Sequence, residues 1–276
     1  LFTNSLFEKM KIAIVGCGNM GMAFAKSFIQ YDLVKKDDLL LIEKSAERSE
    51  ALRSEKAGIV VDTIGPHVGE TDLIILSVKP QDFNSVHEAL REAIRPNQIV
   101  LSIMAGIPMA QIQEKLGHPL VVRAMPNTPA MLGMGITGFT AAKEVDLASL
   151  RRVENLINAT GRSIFLEDES MLDAVTALSG SGPAYFYYVV KAMIDAGKQM
   201  GFDDAVSALL VKQTMLGAYH LINTADKSLD ELIKAVASKG GTTEAALREF
   251  ESGGLADTLV AGIKAAQTRS TELSKG

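Results

Sequence analysis

Cysteine is almost missing from this chain: Cys17 stands alone among 276 residues. No intrachain disulfide can form, and a reducing compartment, the cytoplasm, is the expected setting. Histidine is scarce as well. His67, His87, His118 and His220 lie far apart, without i, i+4 spacing, so no zinc or other metal site is expected. Long cationic runs are absent: 28 basic against 33 acidic residues leave a net charge of −5, with nothing to neutralise a phosphate backbone, which argues against a nucleic-acid partner. No window reaches the roughly 18 uninterrupted apolar residues of a spanning helix, so no membrane partner is expected. Residues 1–9 lack the apolar core and small-residue cleavage site of a signal peptide, and Met10 reads as a natural start, which makes them a leader or a remnant of expression.

What is present is core material. Hydrophobic residues make up 47% of the chain, enough for one large domain or two modest ones. Between residues 11 and 166, short β-branched runs at Ile12–Val15, Leu39–Ile42, 73–78, 99–103, Val121–Met125 and 164–166 alternate with helical patterns. The runs are nearly all apolar and do not alternate, as strands read when helices cover both faces. An α/β class with a doubly wound, mostly parallel sheet follows for residues 10–166. From residue 167 to 276 the pattern is helical: 171–178, 184–200, Asp204–Thr224, 229–237, 243–251 and 255–273. Pro183 at a first turn and Gly201 after the last periodic residue bracket the helix between them. The stretch 205–222 is apolar around most of its circumference, broken mainly by Lys212, Gln213 and His220; either a second subunit or the middle of a bundle covers it.

Gly16-Cys17-Gly18-Asn19-Met20-Gly21 follows the first strand and opens a helix, the context that makes a G-x-G-x-x-G specific for a dinucleotide. Gly16 permits the tight turn, Gly18 the approach of a pyrophosphate, and Gly21 the packing of helix on strand, while free amides face the anion in a Rossmann arrangement. Cys17 is read as a loop residue chosen for size, since no base stands near it. The second strand ends in Glu43-Lys44-Ser45, with Arg48 one turn on, where an adenine ribose lies. Glu43 suits the 2′-hydroxyl of NAD, whereas Lys44, Ser45 and Arg48 suit the 2′-phosphate of NADP. NADP is favoured if Glu43 turns away, and NAD stays open. Ser77-Val78-Lys79-Pro80 ends another strand at the carboxyl edge of the sheet, and Ser102-Ile103-Met104-Ala105-Gly106 reaches the same edge, its small Ala105 able to admit a nicotinamide.

Three further segments carry more than turn signals: Arg123-Ala124-Met125-Pro126-Asn127-Thr128-Pro129, then Ser179-Gly180-Ser181-Gly182-Pro183-Ala184-Tyr185, then Ser238-Lys239-Gly240-Gly241-Thr242-Thr243. With the glycine loop and S-V-K-P, their order resembles that of pyrroline-5-carboxylate reductases over residues 11–273. Lys239 and Ala246 depart from the proline and glycine that many members carry there. The resemblance implies NAD(P)H-dependent reduction of 1-pyrroline-5-carboxylate to L-proline, the last step of proline biosynthesis. It also implies homodimers, often assembled as rings of dimers, formed through interlocked helical domains. It places the substrate carboxylate against Ser238, Gly240, Gly241, Thr242 and Thr243, with the Thr243 hydroxyl at the ring nitrogen and Glu169 near the substrate. A carboxylate is well held by amides at the start of a helix, and a protonated imine accepts hydride without a strong enzymic acid.

Three other readings compete. A 3-hydroxyacid-type dehydrogenase needs a lysine four residues beyond Gly182, where Phe186 stands. A reductase of a related cyclic imine would differ by about one methylene, worth only ~1–3 kcal/mol in a pocket. A non-enzymatic nucleotide-binding protein has no evident use for Thr243 and its paired glycines.

Overall fold

Runs that are apolar at every position have no face to give to water, and the chain sets them at the centre of one sheet. The computed structural model describes residues 10–274, so the stretch 1–9 read as a leader lies outside the described residues. The strands are β1 (Ile12–Val15), β2 (Leu39–Ile42), β3 (Ile59–Val61), β4 (Leu73–Leu76), β5 (Ile99–Ser102), β6 (Val121–Met125), β7 (Gly135–Ala141) and β8 (Gly161–Phe165), in the order β3-β2-β1-β4-β5-β6-β7-β8. β1 to β6 run parallel, β7 pairs antiparallel with β6, and β8 follows β7 in parallel. β1, β2, β4 and β5 are buried along their whole length.

Two strands carry little sequence signal. β3 has only three residues, at the sheet edge, and β7 is interrupted by Gly135, Gly138 and two threonines that weaken an apolar run. β8 begins three residues before the expected 164–166, because Arg162 and Ser163 look like loop until β7 is there to pair with them.

The helices of this region are α1 (Asn19–Gln30), α2 (Ala46–Ser54), α3 (His87–Ala93), α4 (Met109–Leu116) and α5 (Leu147–Asn158). Phe24 and Phe28 of α1 and Leu156 and Ile157 of α5 share one apolar layer with Ile12, Ile14 and Leu41. Leu90 of α3 and Ile112 of α4 share the other with Ala13, Val15 and Ile74. Helices therefore cover both faces, as the doubly wound reading expects.

The helix expected over 171–178 takes a different form. It is α6 (Met171–Val175) followed by a wide π-type turn, Thr176–Gly180, in which the Ser181 amide donates to the Thr176 carbonyl at 2.8 Å. The hydroxyls of Thr176 and Ser179 bond back to the carbonyls of Leu172 and Val175, at 2.7 and 3.0 Å, a habit that loosens helical turns. α6 seats on β7 where Gly138 leaves space: a Cβ there would stand 2.8 Å from a Val175 methyl.

By compactness the first unit extends to Ser181 and takes back the chain from Ala266 onward, while the second is Gly182–Ala265; the sequence had suggested a division near Glu167. The second unit contains α7 (Gly182–Gln199), α8 (Asp204–Thr224), α9 (Leu229–Val236), α10 (Thr242–Ser252) and the start of α11 (Leu255–Ser274). Asp203 caps α8 by accepting from the Val206 amide at 2.8 Å, and Ser228 with Glu231 forms a capping box on α9. In α8 only Ser207 is buried, against Gly197 of α7. By length and composition α8 is apolar enough to cross a membrane, yet Lys212 and His220 interrupt its surface.

Gly161 sits at φ +145°, and a methyl there would run into the carbonyl oxygen of Gly135. Gly161→Ala should cost on the order of 2–5 kcal/mol through backbone strain and overpacking together. A thermal melt of the variant within a degree of the parent would contradict this account of the β7–β8 pair.

Candidate functional site

Strand order reverses between β1 and β4, so the loops leaving their carboxyl ends diverge and open a cleft of about 690 Å3 lined by Gly16, Gly18, Glu43, Lys44, Arg48, Ser77, Val78, Lys79 and Asp82 among others. Gly16 adopts φ +95°, and its Cα lies so near Ser77 that a Cβ would stand 2.8 Å from the Ser77 carbonyl oxygen. Gly21 packs equally closely on Gly16. At Gly18 nothing lies within 4 Å of where a side chain would start, so that flank of the loop is open to a ligand. Asn19, Met20 and Gly21 form the first turn of α1, whose amides have no acceptor within the helix. This geometry fits a pyrophosphate.

One loop amide is already used. Cys17 N–H donates to Glu43 Oε2 at 3.2 Å, and Ser45 N–H donates to Glu43 Oε1 at 2.9 Å. Glu43, 8% exposed, stands in the cleft wall with both carboxylate oxygens held by these amides. The Cys17 side chain is buried, and burial, with the Glu43 carboxylate beside it, pushes its thiol up to about 12. It therefore stays a neutral thiol at physiological pH, with no role as nucleophile.

The cations stand at the rim. Lys44 Nζ meets Asp82 Oδ1 at 3.0 Å, with the Lys44 side chain 71% exposed. An exposed pair of this kind is worth about 0–1 kcal/mol, so an arriving phosphate can replace it. Arg48 Nη2 donates to the Cys17 carbonyl at 2.8 Å and so also braces the glycine loop. Ser45 Oγ caps α2, accepting from the Arg48 amide at 3.5 Å. Lys79 and Pro80 begin a short 3-10 turn (Pro80–Ser85) at the other wall. Ala105 lies half-buried beyond β5, in the loop leading to α4.

Behind this edge lies a polar brace that the sequence did not reveal. Arg123, 5% exposed, donates from Nη1 to Glu169 Oε1 at 2.8 Å, and the same oxygen accepts from Met109 N–H at 2.8 Å. Glu169 thus ties β6 to the start of α4. Asn127 accepts from the Ile136 amide at 3.0 Å and donates to the Ser179 carbonyl at 3.2 Å, joining two of the segments singled out above. The prolines around Asn127 gave a turn signal that masked this role.

In the second unit, Gly240 takes φ +73° and Gly241 precedes α10 as its cap residue. The Gly240 amide donates to Glu244 Oε2 at 2.6 Å and the Gly241 amide to the Ser238 carbonyl at 2.9 Å, so neither is free. The acceptor-less amides begin at Thr242 and Thr243. The Thr243 hydroxyl has no hydrogen-bond partner among the described residues, and it does not cap the helix. Among the described residues no cluster of His, Cys, Asp and Glu is arranged to hold a metal.

A doubly wound sheet with a glycine loop at its switch point and a helical second unit defines a dinucleotide-dependent oxidoreductase. Residues 11–106 match the family model for NADP oxidoreductase, coenzyme F420-dependent, and residues 169–273 that for pyrroline-5-carboxylate reductase dimerisation. The chain is 38% identical over 266 residues to pyrroline-5-carboxylate reductase of Pseudomonas aeruginosa, covering 96% of this chain and 97% of the relative. It superposes with a TM-score of 0.87 on the pyrroline-5-carboxylate reductase of Coxiella burnetii, at 30% identity, over 98% of this chain and 100% of the other. The Plasmodium falciparum pyrroline carboxylate reductase, solved with NADP bound, gives the same TM-score at 26% identity, over 97% and 99% of the two chains. The chain belongs to the pyrroline-5-carboxylate reductase family.

Because the space beside Gly18 is empty of protein, Gly18→Val should fold normally and lose cofactor. Melting temperature should stay within a few degrees of the parent, while the Kd for NADP rises about a hundredfold or more as the side chain takes the pyrophosphate's place. Unchanged affinity would remove the glycine loop from the site.

Proposed function

We propose that this chain reduces the C=N bond of 1-pyrroline-5-carboxylate to give L-proline, with NADPH as donor. The observation that carries the reading is family membership across 96% of the chain. When bound, the reduced nicotinamide supplies the hydride. The protein's own share is holding and orienting. Amides of the 16–21 loop meet the pyrophosphate, and Lys44, Ser45 and Arg48 face the 2′-phosphate. The engagement of Glu43 supports NADPH over NADH, since its carboxylate already accepts from Cys17 and Ser45 and has less to offer a 2′-hydroxyl. Ser77, Val78 and Ala105 border the ring.

In the second unit, the first-turn amides at Thr242 and Thr243 hold the substrate carboxylate, with the Ser238 hydroxyl beside them. Gly240 and Gly241 shape that turn, since their amides are engaged. The Thr243 hydroxyl orients the ring nitrogen, which keeps its proton while the adjacent carbon gains the hydride. Glu169 supports the substrate end of the site by fixing Arg123 and the start of α4.

Homo-oligomerisation accounts for the second unit's surface. Phe186, Tyr187 and Tyr188 of α7 and Leu209 of α8 are each at least 65% exposed in the single chain, a density of apolar side chains that water does not tolerate over so large an area. A homodimer built on these helices covers them, and rings of dimers extend the assembly. A single buried cysteine and a small-molecule biosynthetic substrate fit the cytoplasm.

Incubation with NADPH and pyrroline-5-carboxylate should consume the nicotinamide absorbance and yield proline; no loss of absorbance would sink the reading. Lys44→Ala should raise the KM for NADPH about tenfold with little change for NADH, as befits one charge-assisted contact. Arg48→Ala should weaken both, since Arg48 also holds the Cys17 carbonyl. Thr243→Val should lower kcat/KM roughly five- to hundredfold, equivalent to ~1–3 kcal/mol for one hydrogen bond. Its melting temperature should stay near the parent's, because Gly241 and not Thr243 occupies the cap position.

A further inference from the structure

Asp173 is a carboxylate that the mechanism above does not use, yet it is 9% exposed. Its partners are hydroxyls from the last turns of α11, almost a hundred residues away in sequence. Ser270 Oγ donates to Oδ1 at 2.7 Å, while Thr271 Oγ1 lies 3.0 Å from Oδ2 and Ser274 Oγ 3.2 Å from Oδ1, each sharing its single proton with a helix carbonyl, that of Gln267 at 3.2 Å and that of Ser270 at 3.1 Å. A buried carboxylate is tolerated only where hydrogen bonds replace water. The burial of Asp173 is thus conditional on the docking of α11's end, and that docking draws much of its specificity from Asp173.

The docked end reaches the edge of the sheet where the candidate cofactor cleft lies. Gly106 adopts φ +70°, and a Cβ there would stand 3.2 Å from the Leu273 Cβ and 3.5 Å from the Leu273 carbonyl oxygen. The backbone of α11 therefore rests on the turn that closes the 102–106 segment after β5. Three residues further on, the Met109 amide is held by Glu169. The segment carrying Ala105 is accordingly pinned at two places, by α11 at Gly106 and by the Arg123–Glu169 brace at Met109. Asp173 itself is fixed from below by α6, whose Val175 fills the space left by Gly138.

We propose that Asp173 is a positioning residue for hydride transfer: by anchoring Ser270, Thr271 and Ser274 it presses the end of α11 onto Gly106 and fixes the 102–106 loop, and with it Ala105, beside the nicotinamide. The proposal rests on the functional reading above, which puts the nicotinamide against Ala105. The adenine end of the cleft, around Lys44 and Arg48, lies on the far side of β1 from β5 and does not depend on this anchor.

The test compares Asp173→Ala, Asp173→Asn and Ser270→Ala as full-length proteins. Asp173→Ala should lower kcat with NADPH and pyrroline-5-carboxylate by about 10- to 100-fold, the scale of a loss of alignment near one ångström. The Kd for NADP should stay within about twofold, because the phosphates are held elsewhere. Hydrogen exchange should speed up together in 103–108 and 266–274. Asp173→Asn keeps one acceptor oxygen and an amide that the rotatable hydroxyls can meet, so it should recover most of kcat. Ser270→Ala removes one donor and leaves the rest of the anchor, which keeps the test available if Asp173→Ala fails to fold; it should show the same changes at smaller size. An active parent whose Ser270→Ala and Asp173 variants keep kcat, or faster exchange at 266–274 alone, overturns this proposal and leaves the functional reading standing. A parent inactive on pyrroline-5-carboxylate overturns both.

Discussion

Everything at the cofactor edge depends on three stretches of backbone meeting where no side chain fits. Gly16 touches Ser77, and Gly21 touches Gly16, so β1, β4 and α1 converge within van der Waals distance. A methyl at either glycine would prise apart the point at which strand order reverses. From that convergence follow the direction of α1, the exposure of its first-turn amides, and the width of the cleft between Lys44 and Lys79. The nucleotide site is a by-product of close packing, and its polar side chains are arranged around a frame already fixed.

Burial sorts the charged pairs of this edge into two kinds. Arg123 and Glu169, with side chains 6% and 27% exposed, are committed: removing one partner from such a pair costs about 3–5 kcal/mol because the other is left with an uncompensated charge. Lys44 and Asp82 are exposed, and their pairing is weak enough to be exchanged. The committed pair lies behind the loop after β5 and the exchangeable one at the mouth of the cleft. A site that must hold its frame and release its ligand needs that division.

Most of the fold was legible because burial on both faces leaves a plain mark: β1, β2 and β4 are uninterrupted apolar runs, and β5 is one up to its last residue, Ser102. β3 and β7 were not legible, one too short and the other diluted by glycine, and both depend on partners distant in sequence. The glycine loop could be read because its spacing encodes backbone geometry. The direction of Glu43 could be posed as a question from sequence and answered only by the amides of Cys17 and Ser45. Asp173 left no trace, since a carboxylate in a short helix looks solvated until Ser270 and Ser274 fold back onto it. The paired glycines before α10 marked a special turn correctly, but that their amides are taken by Glu244 and Ser238 is a matter of side-chain and carbonyl direction that spacing does not contain.

Cys17 sits at the centre of the loop that this reading gives to the reducing cofactor, wholly buried and with its thiol raised to about 12. Peroxides and electrophiles attack the thiolate, and at this position almost none exists to attack. As the chain's only cysteine, it has no intramolecular partner for a disulfide either. Burial therefore shields this one thiol: when cellular peroxide rises, it resists the sulfenic-acid chemistry that disables enzymes with an exposed, acidic cysteine.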